Sequence, residues 1–319
     1  MARAPGKVNL CLLLGAARAD GRHELVTVLE SVSLADELEL STLAGGPDEV
    51  HCPGVQGPNL VSRALAGLRA RDWGAPAVRI EIRKRVPVAA GMGGGSADAA
   101  AALRLANELA PVAAGHVFSI AASLGADVPS QLAPGLALGT GVGEVVTPLA
   151  PLAPHAWLLL PSDRQLSTAE VYREADRLGL ARSPHGLARE RERLVSSLEE
   201  RSPPVGEGLR LPGERARRLE EWPRLPGERA RLPAALLVND LQPAARSLCP
   251  QIDAALDAAL GAGAEHAIVC GSGPTVAGLF WGEDARDRAE AAVGALGGHF
   301  PRACAAVPVR GRFEDPVPA

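Results

Sequence analysis

The chain has 319 residues, 47% of them apolar and 22% charged, with a formal net charge of −4. A length of this order favours two domains over one, and the slight acidity gives no reason to expect nucleic acid or an anionic membrane as a partner. Aromatic residues make up only 3%, and the five cysteines (Cys11, Cys52, Cys249, Cys270 and Cys304) form no C-x-x-C pair, which speaks against a stacking surface for single strands, a disulfide framework and a zinc site.

The apolar run Val8–Leu14 is far too short to span a bilayer, which takes roughly 20 residues, and is read as a strand. Val26–Leu34 is a second strand, and Asp36–Leu40 alternates in period two as a third. Asn59–Arg71 has helical spacing, with Leu60, Ala64, Leu65 and Leu68 on one face, and Ala77–Ile82 alternates again. Glycines follow Pro87, and then an alanine-rich helix runs over Ser96–Leu109. Val117–Leu124 is a helix closed by Gly125, and Leu136–Val146 a glycine-punctuated strand or hairpin. The proline cluster Ala150–Pro154 marks an interdomain connection, after which His155–Leu160 opens a second unit as an apolar strand. Thr168–Leu178 is helical. Between about Ala181 and Leu232 the composition turns to arginine, glutamate, proline and glycine, and R-L-P-G-E-R-A-R occurs twice, at Arg210–Arg217 and Arg224–Arg231. Two copies are too few for a solenoid, so a solvated insertion is expected. A helix over Pro250–Leu260, strands His266–Val269 and Val276–Phe280 and a helix Ala285–Leu296 complete an α/β or α+β chain of two lobes. A reduced, cytoplasmic protein is expected.

Within Pro87–Ala102 (P-V-A-A-G-M-G-G-G-S-A-D-A-A-A-A), Gly91, Gly93, Gly94 and Gly95 let main-chain N–H groups crowd toward one point. The run opens into a helix whose first N–H groups are unpaired, which suits a di- or triphosphate. Ser96 would sit at the helix start, to cap it or to reach a phosphate-bound Mg2+. Taken alone the run is equally a flexible loop with a serine cap. It is neither a G-x-x-x-x-G-K-[ST] loop nor a dinucleotide fingerprint, and protein-kinase signatures are missing. A second glycine turn, Cys270–Thr275 (C-G-S-G-P-T), could be a plain hairpin. A third segment, Ala4–Leu10 (A-P-G-K-V-N-L), carries Lys7. Lys7 and Lys84 are the only lysines among 33 basic residues, a hint that a compact ammonium is wanted at each.

Together, A-P-G-K-V-N-L, the glycine run and G-S-G-P-T resemble the three motifs of the GHMP kinase superfamily. Seven further segments follow the order of one branch of it: Ala19–Leu25, Asn59–Ala64, Lys84–Pro87, Gly125–Pro129, Leu138–Glu144, Ser167–Tyr172 and Asn239–Ala244. That branch phosphorylates a cytidine-diphosphate-linked methylerythritol in the non-mevalonate isoprenoid pathway. The resemblance implies an α+β, two-lobed GHMP kinase fold. It places an N-terminal ribosomal-protein-S5-domain-2-like ATP lobe at 1–152 and a C-terminal ferredoxin-like lobe at 153–319, the latter holding the insertion at about 181–232.

It further implies ATP and Mg2+ as cofactors, a small-molecule substrate, and a monomer or weak homodimer. Asp127 becomes the general base, although an aspartate after Gly-Ala otherwise reads as a turn or cap, and Lys7 the cation beside it. Asn59, Lys84, Gly91, Gly93, Gly94, Gly95 and Ser96 would bind the nucleotide, with Ser96 also meeting Mg2+. Asn9, His23, Tyr172, Gly271, Ser272 and Gly273 would bind the substrate, Tyr172 by stacking on cytosine. Two departures fall on the substrate side: Arg22 stands where the branch has a tyrosine, and Ser130-Gln131 where aromatics are common. They leave open a related kinase of another small alcohol; a binding protein of the same fold that has lost activity is the reading from a different class.

Overall fold

The computed structural model describes residues 1–55, 57, 59–201 and 231–311. The first lobe begins with two long antiparallel strands, β1 (Ala2–Ala17) and β2 (His23–Thr42), followed by β3 (Glu49–His51), α1 (Leu60–Arg69), β4 (Val78–Arg83), α2 (Gly94–Leu109), α3 (Ala114–Leu124), α4 (Val128–Gln131), β5 (Leu136–Thr140) and β6 (Val145–Pro148). Its sheet runs β3-β4-β2-β5-β6, with β1 also paired to β2. The two strands predicted over 26–34 and 36–40 are one, because β2 changes partner along its length: β5 takes Thr27–Glu30 and β4 takes Glu37–Thr42. The glycine-punctuated segment is the β5–β6 hairpin.

Helix α2 is buried on every side from Ala97 to Leu103, which explains its alanines: only a methyl fits between the sheet and helices α1 and α3. It starts at Gly94, with Gly93 in the left-handed region (φ 68°) at the cap and no side-chain cap. Ser96 is therefore inside the first turn, and its hydroxyl is not the cap that the sequence suggests.

The second lobe holds β7 (His155–Leu160), α5 (Thr168–Arg177), α6 (Pro184–Arg201), a 3-10 turn at Ala234–Leu236, α7 (Gln242–Leu248), α8 (Gln251–Gly261), β8 (His266–Val269), β9 (Val276–Trp281), α9 (Ala285–Leu296) and β10 (Cys304–Ala306). Its antiparallel sheet has the order β10-β7-β9-β8, the arrangement of a ferredoxin-like lobe. Helix α6 lies where composition predicts a solvated insertion. Leu187, Leu194 and Leu198 are buried in the core, so that part of the segment is packed structure. The two octapeptides lie outside the described residues, save Arg231.

One apolar cluster sits under the first sheet, one under the second, and a third joins the lobes through Val28, Val32, Trp157, Leu279 and Trp281. The main chain crosses as well. Ser33 N donates to Val307 O at 2.8 Å and Val309 N to Ser31 O at 2.9 Å, while Leu12 N donates to Val238 O at 2.7 Å. Among the described residues, no helix is long and apolar enough to cross a membrane.

Candidate active site

Lys7 lies on β1 with 4% of its surface exposed, and its N–H donates to Met92 O at 2.8 Å, tying the strand to the glycine run. Nζ donates to Asn9 Oδ1 at 2.6 Å and stands 3.6 Å from Asp127 Oδ2. Asn9 Nδ2 in turn donates to Thr27 Oγ1 at 2.8 Å. Asn9, expected to touch substrate, thus links Lys7 to Thr27 through the two ends of its amide. Asp127 occupies the cap position of α4, yet its side chain makes no cap bond and is 34% exposed. A carboxylate that neither caps nor is enclosed is free to accept a proton from a ligand.

Two glycine turns, one from each lobe, close around this pair. A Cβ on Gly91 (φ 76°) would stand 1.9 Å from Cys270 O, and one on Gly271 (φ 52°) 2.8 Å from Lys7 Nζ. One on Gly93 would meet Lys7 Cγ at 3.1 Å and Asp127 Oδ2 at 3.5 Å. Asn239, from the N-D-L-Q-P-A segment, braces the second turn by donating Nδ2 to Val269 O and Gly271 O at 2.8 and 2.7 Å. A Cβ on Gly273 (φ 77°) would meet Val269 Cγ1 at 2.9 Å, while Ser272 shares a 3.1 Å hydrogen bond with Thr168 at the start of α5.

Lys84 sits beneath the start of α2, its Nζ 3.2 Å from the place of a Cβ on Gly94. It is ion-paired to Asp36 and, at 2.7 Å, to Asp98. Burial alone would lower the Lys84 pKa, but the two carboxylates outweigh it and raise it. Burial pushes Asp98 up to about 7, with Lys84 pulling against it and Asp36 adding to the rise. Asp36 is satisfied by the N–H groups of Arg85 and Val86 at 2.5 and 2.8 Å, whereas Asp98 Oδ1 is buried without a hydrogen-bond partner. Neither aspartate is predicted from sequence. The available signal is a single carboxylate inside an alanine run, which a buried helix tolerates only when it is paired. Asn59 caps α1, its Oδ1 accepting from Val61 N at 2.8 Å, and borders a recess of about 350 Å3 formed with Val50, Cys52, Val55 and Ser62.

The rings of His23 and Tyr172, both expected to bind substrate, lie 5.2 Å apart, tilted by 40°. Asp176 on α5 fixes His23 by accepting at 2.7 Å, a partner one helical turn beyond Tyr172. Burial and then the charge of Asp127 push the Tyr172 hydroxyl above its ordinary range. Arg22 is turned away: its guanidinium donates to Asp20 Oδ2 at 2.9 and 3.1 Å and is 62% exposed. Ser130 and Gln131, the second departure, are buried, and Ser130 Oγ donates to Asp127 O at 2.8 Å. Among the described residues no cluster of three metal-ligating side chains exists.

The chain matches the family models described as "GHMP kinases N terminal domain" over residues 59–135 and "GHMP kinases C terminal" over 219–299. It is 39% identical over 304 residues to a 4-diphosphocytidyl-2-C-methyl-D-erythritol kinase of Streptomyces avermitilis, covering 92% of each chain. A protein of the same name from Streptomyces coelicolor is 40% identical over 299 residues, covering 91% of this chain and 90% of its own. A crystal structure of 4-(cytidine 5'-diphospho)-2C-methyl-D-erythritol kinase superposes with a TM-score of 0.67 at 30% identity, covering 96% of this chain and 98% of that one. The chain therefore belongs to the GHMP kinase family, closely related within it to the 4-diphosphocytidyl-2-C-methyl-D-erythritol kinases, and it has their two-lobed fold.

Proposed function

We propose that this chain transfers the γ-phosphoryl group of ATP to the 2-hydroxyl of 4-diphosphocytidyl-2-C-methyl-D-erythritol. The observation that carries the reading is the Lys7–Asp127 pair, 3.6 Å apart where the start of α2 and the second glycine turn converge. The names of the streptomycete relatives support the acceptor.

The main-chain N–H groups of Gly94, Gly95 and Ser96 receive phosphate oxygens at the positive end of α2. The recess beside Asn59 takes the adenosine end. With the acceptor hydroxyl in the cleft, Asp127 takes its proton as the oxygen attacks phosphorus, and Lys7 stabilises the charge that develops. Asn9 keeps that ammonium aimed. His23 and Tyr172 hold the cytosine. Mg2+ would come with ATP, held by its phosphates and the Ser96 hydroxyl, and would neutralise phosphate charge. Catalysis of this kind is mostly placement, which suits a site built from fixed glycine turns.

Release of ADP, measured with ATP, Mg2+ and a panel of alcohols, tests the reading. Turnover is expected on the cytidyl substrate, and Asp127→Asn should lower kcat by about 10²–10⁴-fold while ATP still binds. Near-normal turnover in that variant removes Asp127 as the base. Arg22, tied to Asp20, leaves the aromatic pair to meet a base from one side only, which favours as a second reading a kinase of a different small alcohol. Turnover confined to a non-cytidyl member of the panel would select it.

A further inference from the structure

Asp127 is steadied by groups that never reach the cleft. The element it opens, α4, has four residues, too few to be stable on helical hydrogen bonds alone. Support comes from Arg104 in the middle of α2. Its Nη1 donates to Gln131 O at 2.5 Å, at the far end of α4, and its Nη2 to Arg3 O at 2.7 Å on β1, just before Lys7. One planar fork thus joins the element that carries Asp127 to the strand that carries Lys7. The inward positions next to Arg104 on α2, Ala100, Ala101 and Leu105, are apolar. Its burial is deep enough to bring its pKa down to about 10 against the opposing charge of Glu108. On the other side of Asp127, Gly143 (φ 108°) lies so close that a Cβ there would stand 3.0 Å from Ala126 Cβ.

We propose that Arg104 is a positioning residue for phosphoryl transfer, its fork setting the separation of the Asp127 carboxylate from the Lys7 ammonium without touching either substrate. The inference rests on Asp127 being the base. It is tested by measuring kcat, both KM values and the affinity for a fluorescent ATP analogue in Arg104→Met, Arg104→Lys and Asp127→Asn, with Ile80→Val, which thins the same core, as a stability control. Arg104→Met should lose about 100-fold in kcat, the effect of a misplacement on the order of 1 Å, with KM and nucleotide affinity kept within about twofold. Arg104→Lys, which keeps the charge but not the fork, should recover kcat to within about tenfold of wild type and still fall short of it. Ile80→Val should keep the wild-type kcat. A folded Arg104→Met with wild-type kcat overturns the proposal, as does a loss shared equally by kcat, KM and nucleotide affinity, which marks general loosening. If Arg104→Met does not fold, Arg104→Lys carries the test, and a wild-type kcat in it overturns the proposal. Full activity in Asp127→Asn removes the base assignment itself, whereas an inactive Asp127→Asn beside an unimpaired Arg104→Met removes only this inference.

Discussion

Lys7 occupies a slot with little tolerance. Gly93 and Gly271 face it, with Cβ positions 3.2 Å from Lys7 Cε and 2.8 Å from Nζ, and Asn9 accepts from the same nitrogen. A guanidinium is wider and planar, and would have to displace one of the two turns. We expect Lys7→Arg to lose at least about 100-fold in kcat although the charge is kept, as misplacement in a positioning site does. Steady-state kinetics beside a circular dichroism spectrum check it, and an arginine variant within fivefold of wild type would show that charge alone suffices. The scarcity of lysine in an arginine-rich chain is legible from composition, and both lysines do lie in enclosed polar sites. Their partners are not legible, because Asp36 and Asp98 reach Lys84 from a different strand and from a helix. Only the folded sheet brings those three together. Asn9 is legible from its motif, but its bond to Thr27 across the strand pair is not.

At the level of elements, strand and helix periodicity locate most of the framework, and the misreadings have local causes. Periodicity divides β2 where the apolar run Val26–Leu34 gives way to the alternation of Asp36–Leu40, yet the Asp36 carboxylate accepts from main chain and the strand continues. α4 is too short to show a period at all. α6 was absorbed into a charged stretch because three buried leucines are diluted by exposed arginine and glutamate. The consequence is measurable. Leu194 is 0% exposed, so Leu194→Ala should destabilise the protein by about 2–5 kcal/mol in urea unfolding. A change below about 0.5 kcal/mol, the usual surface value, would return α6 to the status of a solvated insertion.

Across the whole molecule, the lobes are joined by a buried polar link inside the apolar cluster between them. His155 Nε2 lies 2.7 Å from Glu30 Oε2 and Nδ1 2.7 Å from Ala153 O, while Trp157 Nε1 donates to the same Glu30 oxygen at 3.2 Å. Burial by itself would lower the His155 pKa, but Glu30 and the Ala153 carbonyl raise it above the ordinary value near 6.5. A histidine raised in the folded state contributes stability that is complete below the unfolded value and is lost as pH climbs through the folded one. Thermal stability should therefore decline as pH rises from about 6.5 toward alkaline values, and the decline should flatten in Glu30→Gln. Melting curves of both proteins across that range decide it, and an identical slope in the two would dissociate the pair from the effect. Glu30→Gln should also be less stable at pH 6, because breaking a buried pair costs about 3–5 kcal/mol.

The interlocked glycine turns also have a consequence in time. A ribosome delivers Lys7 and Gly91 first, and the turn that walls them in, Cys270–Thr275, and the segment that pairs with β2, Val307–Val309, only well after them. Until then the growing chain carries a glycine loop with one side missing and a strand whose apolar face, including Val28 and Val32, lacks the cover of the second lobe. Uncovered strand of that kind is what nascent-chain chaperones bind and what aggregates form from. The pairing of Lys7 with its second wall therefore comes into being only when the later glycine turn has docked on the earlier one.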